Sequence, residues 1–178
     1  MKKYFLASVA LALSMGVAHA GEAKFDGAYT GVQGSYSKLD AGEFDLDGLS
    51  GGAFAGYGKS FGNWYVGGEL SADYSKVEGS ANKVDVEKKY SYGAAARLGY
   101  LVTPDVLAYG VGGVERGRFE AKAAGDKISD DVTGLRLGIG AETFVSEKVS
   151  VRTEVNYVNW EDDLGDEWRA NVGVAYHF

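Results

Sequence analysis

Charged side chains recur at one parity of apolar, alternating segments: Glu69, Asp73, Arg97, Arg116, Arg136, Glu142, Arg152, Glu154 and Arg169. An arginine fork matches a carboxylate bidentately, so five bases against four acids suit a buried and nearly balanced network. An unpaired member of such a network would cost about 3–5 kcal/mol. Arg97, Arg136 and Arg152 are therefore expected to pair with Glu69, Glu142 and Glu154. The placement of Arg116 on this face leaves Glu115 on the opposite one. Two uses fit the set: a polar plug that fills an interior and fixes strand register, or an ion path gated by exchange of salt bridges.

Nucleophilic chemistry has little to work with. The chain has no Cys, and its histidines are His19 and His177. Activated-nucleophile sites call for a base beside a Ser or an acid. Glu142 and Glu154 could do acid–base work as a pair, but partnership with nearby arginines is the simpler reading. The run GVGGVERG at 110–117 lies inside a strand pattern, so it is no phosphate loop. No catalytic residue, cofactor or metal ligand set is expected. Acid also gathers in polar stretches: Asp40, Glu43, Asp45 and Asp47; Glu120, Asp126, Asp130 and Asp131; and Glu161, Asp162, Asp163, Asp166 and Glu167. A stretch with Glu78, Asp85 and Glu87 also carries Lys76, Lys83 and Lys88. Oxygen ligands suit Ca²⁺ or Mg²⁺, but no spacing here matches an EF-hand loop.

The elements that must position the charged set are strands. Period-2 alternation predicts them at Gly27–Lys38, Gly51–Phe61, Trp64–Tyr74, Lys89–Leu101, Val106–Phe119, Val132–Phe144, Lys148–Val158 and Glu167–Phe178. Most exceed ordinary globular strands and reach the 9–11 residues a tilted membrane-crossing strand needs. Short connections at Gly62–Asn63, Val102–Asp105 and Val145–Glu147 alternate with longer polar ones, which carry the acids. That alternation predicts an all-β, eight-stranded antiparallel up-and-down transmembrane β-barrel, with the longer connections as extracellular loops. Aromatics gather at strand ends on the apolar face, in two girdles: Tyr57, Trp64, Tyr100, Tyr109, Tyr176 and Phe178 at the short-turn rim, and Tyr74, Tyr90, Tyr157 and Trp168 at the loop rim, with Tyr36. An aliphatic band between two girdles fits a bilayer better than the calyx of a soluble lipocalin-type barrel. An eight-stranded barrel leaves room for side chains and little else, which favours the plug over the ion path.

Composition agrees. The chain has 178 residues, 27 Gly, 12 Tyr, 1 Pro and a net charge of −7. The length suits one domain, and the acidic balance argues against nucleic acid as a partner. Lys2 and Lys3, an apolar stretch from Phe5 to Val17 and Ala18-His19-Ala20 form a signal-peptide pattern, with cleavage expected before Gly21. A membrane anchor is the poorer reading, because the stretch is short and ends in a cleavage site. The expected domains are a signal peptide over 1–20 and the barrel over 21–178. Loss of Lys2 and Lys3 would take the charge from −7 to −9 and leave His177 as the single histidine. An exported chain also does well without thiols in an oxidising periplasm.

The segments Gly51-Gly52-Ala53-Phe54-Ala55-Gly56-Tyr57, Gly67-Gly68-Glu69, Tyr109-Gly110-Val111-Gly112-Gly113, Gly138-Ile139-Gly140-Ala141-Glu142 and Val172-Gly173-Val174-Ala175-Tyr176-His177-Phe178 resemble the small outer-membrane β-barrels of Gram-negative bacteria, a group of opacity-like proteins and barrels of the OmpA and OmpX type. The resemblance spans the region after the signal pattern. It implies an outer-membrane protein, porin-like in architecture, surrounded by lipid and lipopolysaccharide, with Phe178 read by the barrel assembly machinery. Unlike the full OmpA type, the sequence is expected to carry no periplasmic domain. Some such barrels are lipid-modifying enzymes or proteases, but His177 sits at the periplasmic rim, away from where their chemistry lies. The expected function is structural or surface-interaction (adhesion), with a plugged lumen and acidic extracellular loops open to host or surface ligands. A small pore for ions or solutes is the alternative. A monomer is expected, because a closed barrel has no free edge.

Overall fold

The computed structural model describes residues 24–40, 45–81, 84–123, 126–161 and 165–178. Strands follow in chain order: β1 (Gly27–Asp40), β2 (Asp45–Phe61), β3 (Trp64–Ala81), β4 (Val84–Thr103), β5 (Val106–Ala123), β6 (Asp126–Phe144), β7 (Val149–Trp160) and β8 (Asp166–His177). Each pairs with its neighbours in sequence, and β1 closes antiparallel onto β8 with Val32 opposite Val174. Closure gives the backbone of every strand a partner on both sides, so no edge is left open.

The two ends of the barrel differ. At one end the turns are short. Between β2 and β3, Gly62 takes a φ of 63°, a left-handed conformation that costs a residue without Cβ little. The β6–β7 turn is held by Val145 N donating to Val149 O at 2.9 Å. At the other end the sheet runs further than alternation indicated. β4 has 20 residues and β6 has 19, well beyond the 9–11 that cross a bilayer. β3 continues past Tyr74 to Ala81, and β6 begins at Asp126 rather than Val132. The polar stretches read as loops are thus largely paired hairpin arms. In β3 the pattern inverts past Tyr74, with Lys76, Glu78 and Ser80 at the parity that Leu70, Ala72 and Tyr74 hold, so the alternation breaks there, yet the backbone N–H and C=O groups still find ladder partners.

The faces of β8 alternate strictly from Glu167 on, with Arg169, Asn171, Gly173, Ala175 and His177 buried and Trp168, Val172, Val174, Tyr176 and Phe178 exposed. The outer wall carries Val32, Leu70, Leu98, Leu135, Ile139 and Val155 as an exposed aliphatic band. Tyr57, Trp64, Tyr100, Tyr176 and Phe178 border it at the short-turn end, and Tyr36, Tyr74, Tyr90 and Trp168 at the other. Tyr157 stands beside Trp168, with ring centroids 5.3 Å apart.

β5 corrects the expected faces. Tyr109, assigned to the outward girdle, is buried inside, as are Leu107, Val111 and Glu115. Arg116, assigned to the lumen, is on the outer wall with its side chain 51% exposed. Both parities of Val106–Val114 are apolar or glycine, so alternation carries no weight there. Register decides instead, because directly opposed residues of an antiparallel pair share a face. Tyr109 lies opposite Gly99 and Gly140, and Arg116 lies opposite Tyr92 and Thr133. The glycines make room for the ring: a Cβ on Gly140 would stand 2.6 Å from Tyr109 Cζ.

The interior is packed at the short-turn end by Phe25, Tyr65, Leu101, Leu107 and Tyr109, with Phe144 against them. Phe25 precedes β1 and reaches under the barrel. Its neighbours hold it there: Asp26 accepts from Ser60 N at 2.7 Å, and Lys24 Nζ donates to Asp105 at 2.5 Å.

Candidate functional site

Above that aromatic floor the lumen is crossed by ion pairs. Arg152 on β7 donates from Nη1 to Glu69 Oε2 on β3 at 2.5 Å and from Nη2 to Glu69 Oε1 at 3.2 Å. In this strand order β3 and β7 are opposite walls, so the fork spans the barrel. Arg152 Nη2 also donates to Gln33 Oε1 at 2.7 Å, and Gln33 Nε2 donates to Asp73 Oδ1 at 2.9 Å. The Arg152 guanidinium lies 3.3 Å from the Phe54 ring centroid.

Arg97 donates from Nη2 to Glu142 Oε2 at 2.6 Å and from Nη1 to Tyr29 Oη at 3.0 Å. It stacks 3.9 Å from the Tyr109 ring, with Tyr29 and Tyr65 also near, so aromatic faces hold the cation where carboxylates do not. Arg136 pairs with Glu154 and donates from Nε to Asn156 Oδ1 at 3.0 Å. Tyr109 Oη donates to Glu154 Oε2 at 3.0 Å. Nearest the long hairpins, Arg169 grips Glu115 with two bonds of 2.9 and 3.0 Å and Glu167 with two more of 2.8 and 3.1 Å. Trp160 Nε1 donates to Glu167 Oε2 at 3.0 Å. Each charge has left water, and only this density of partners offsets the desolvation.

The lumen thus holds Glu69, Asp73, Arg97, Arg136, Glu142, Arg152, Glu154 and Arg169, and excludes Arg116. Sequence reasoning missed Gln33, Tyr29, Tyr109, Glu115 and Glu167. Glu167 is two residues from Arg169 and so shares its face, a signal present in the sequence but outweighed by its acidic neighbours. Glu115 becomes visible only through register, opposite Gly93 and Gly134. With both glutamates inside and Arg116 outside, the buried set leans acidic where parity alone gave near balance.

His177, Ser150 and Glu142 meet at the short-turn end. Ser150 Oγ donates to Glu142 Oε1 at 2.6 Å and lies 3.0 Å from His177 Nε2. That same Nε2 lies 3.1 Å from Glu142 Oε1. A nucleophile relay places the acid on one ring nitrogen and the hydroxyl on the other. Here both share Nε2, Nδ1 has no partner among the described residues, and Ser150 is fully buried. The cluster ties β6, β7 and β8 together and does not present a nucleophile.

On the loop side, Asp47 accepts from Tyr36 Oη at 2.9 Å. Asp166, beyond Trp168, accepts from Asn159 Nδ2 at 2.7 Å, a bond that holds its carboxyl below the usual range. Asp131 sits beside Arg116 and Arg118 on the outer wall. Glu43, Asp162 and Asp163, and the signal pattern of residues 1–20, lie outside the described residues.

This geometry has known counterparts. The family described as "Outer membrane protein beta-barrel domain" matches residues 6–178. A 22 kDa outer membrane protein of Rhizobium leguminosarum bv. viciae is 30% identical over 176 residues, covering 86% of this chain and 78% of that protein. A 25 kDa outer-membrane immunogenic protein of Brucella ovis is 27% identical over 157 residues, covering 85% and 77%. Among solved structures, Neisserial surface protein A superposes with a TM-score of 0.67 at 18% identity, covering 86% of this chain and 98% of that one. Ail of Yersinia pestis, solved in complex with the heparin analogue sucrose octasulfate, gives 0.65 at 20% identity, covering 86% and 99%.

Proposed function

From the premise that this chain belongs to the outer-membrane protein β-barrel family and lies in the bacterial outer membrane, we propose that it is a surface-interaction protein whose lumen is a structural plug. The observation that carries this reading is the fork of Arg152 on Glu69, which joins opposite walls of the barrel. Arg97–Glu142 below it, Arg169–Glu115 above it and the buried Phe25 at the floor support this reading. The narrow bore of eight strands supports the same reading.

The function then rests with the long hairpins. They carry most of the negative charge and face the cell surface, while the short turns, His177 and Phe178 face the periplasm. Their acidity suits basic host or surface ligands better than the sulfated polyanion bound by Ail. The chain acts as an adhesin or structural barrel, not as an enzyme. It is exported after cleavage before Gly21, is recognised by the assembly machinery through the exposed Phe178, and stays monomeric in lipid that includes lipopolysaccharide.

Single-channel recording of the folded barrel in planar bilayers tests the plug. Silence is expected, with Glu142→Gln equally silent. Steady conductance that changes in Glu142→Gln would replace the plug with a small pore for ions or solutes.

A further inference from the structure

The lumen sets the buried carboxylates of Glu69, Asp73, Glu115, Glu142, Glu154 and Glu167 against the guanidiniums of Arg97, Arg136, Arg152 and Arg169. Every one of those glutamates has an arginine within ion-pair distance. Asp73 has no cation beside it among the described residues. It is 5% exposed and accepts one hydrogen bond, from Gln33 Nε2 at 2.9 Å. That donor is neutral, and a neutral amide does not offset a buried charge. Gly52 leaves room for the carboxylate: a Cβ there would stand 2.3 Å from Asp73 Oδ1. The wall around it carries hydroxyls. Ser91 lies directly opposite Asp73 on β4, Ser75 follows on β3, Ser50 lies opposite Ser75, and Ser35 lies opposite Ser50. Ser35, Ser75 and Ser91 are buried. Ser35 Oγ and Ser91 Oγ have no hydrogen-bond partner among the described residues. Asn171, opposite Ser35 on β8, has an Oδ1 in the same condition. Oxygen lone pairs left unused beside an unbalanced carboxylate are the ligand set of a hard cation.

We propose that Asp73 holds a small monovalent metal cation, Na⁺ in size, inside the lumen, with Ser91 and Ser35 as neutral oxygen ligands. One carboxylate among hydroxyls balances one positive charge. A divalent ion recruits more carboxylates, and the other five in the lumen are engaged by arginine. The burial of Asp73, Ser35 and Ser91 favours a bare metal ion over a bulky organic cation. The ion supplies the charge that the arginines leave missing, and it ties β3 to β4 and β1. This goes beyond the reading of the lumen as a plug of side chains alone, and it is independent of what the hairpins bind.

The test uses the folded full barrel in zwitterionic detergent micelles at about pH 8, well above the ordinary aspartate range. Sodium chloride is exchanged for N-methylglucamine chloride at constant ionic strength, and binding is read by sodium NMR line width and by urea unfolding. Sodium should shift the unfolding equilibrium about tenfold toward the folded barrel as the site fills. Asp73→Asn, which keeps the shape and an acceptor for Gln33, should lose both responses. Ser91→Ala should weaken sodium binding about three- to tenfold with the charge unchanged. Absence of any sodium response in the wild-type barrel overturns the proposal; if Asp73→Asn is then at least as stable, the carboxyl is kept neutral by a proton instead. A sodium response that survives in Asp73→Asn also overturns it. So does a Ca²⁺ response larger than that to sodium and abolished in Asp73→Asn, which would make the site divalent. If Asp73→Asn fails to regain the heat-modifiable gel mobility of a folded barrel, Ser91→Ala decides: sodium affinity equal to wild type overturns the site. None of these readouts depends on conductance or adhesion, so a failure here leaves the surface-protein reading standing.

Discussion

Arg169 and Arg116 stand on opposite faces of the same wall system and live under different rules. Arg169 is buried inside, held by four bonds of 2.8 to 3.1 Å to Glu115 and Glu167. Arg116 points outward, with Asp131 at 3.7 Å. Inside, water cannot replace a missing partner, so every charge must be met and geometry tightens. Outside, solvent and lipid headgroups compete for the same fork, and the pair stays loose. The barrel thus uses one residue type for two purposes: arginine inside as a fixed strut, arginine at the rim as an exchangeable contact.

The largest effect should come from the strut. Arg169→Met takes a guanidinium and its four hydrogen bonds away from buried Glu115 and Glu167 and should destabilise the barrel by about 3–5 kcal/mol. Arg116→Met should change stability by less than about 1 kcal/mol. Urea unfolding of both variants in lipid vesicles, followed by Trp fluorescence, measures the contrast. Equal losses would mean that the lumen is hydrated enough to solvate a stranded carboxylate, and the plug would lose its physical basis.

Glycine offers the same comparison without charge. Gly58 faces the lumen, where a Cβ would stand 2.0 Å from Tyr65 Oη. Gly68 faces outward on β3 with nothing within 4 Å of a built Cβ. Gly58→Ala should cost about 1–3 kcal/mol, because the packed Tyr65 must move. Gly68→Ala should be neutral or stabilising by up to about 1 kcal/mol, through lost freedom of the unfolded chain. A neutral Gly58→Ala would show that Tyr65 can swing aside, and with it that the aromatic floor beneath the ion pairs is soft.

What the sequence made legible follows the same division. In β8, each buried residue from Arg169 to His177 has an exposed aliphatic or aromatic neighbour, and alternation alone assigned both faces correctly. In β5, glycine and valine occupy both parities, and the faces of Tyr109, Glu115 and Arg116 are set by pairing with β4 and β6, which no single-strand pattern contains. The hairpin arms beyond Tyr74 and before Val132 were invisible for a related reason: the polar parity inverts after Tyr74, and Asp126, Lys127, Asp130 and Asp131 put charge at both parities, so the pattern breaks though the ladder persists. The acid–base content of the lumen was readable as a set. Its links through Gln33, Tyr29 and Asn156 depend on which polar side chains from non-neighbouring strands converge, a property of the closed barrel.

The smallest effect is also the most discriminating about the outer face. Asp131 serves Arg116 and Arg118 at 3.7 and 3.9 Å, with solvent reaching all three. An exposed pair of this kind contributes little, and screening by salt reduces it further. Asp131→Asn should therefore shift unfolding free energy by less than about 0.5 kcal/mol in lipid vesicles of neutral headgroup. A loss above about 1 kcal/mol in neutral vesicles would mean that Asp131 fixes the β5–β6 arm as a strut does, and the division between the two faces would fail at the rim.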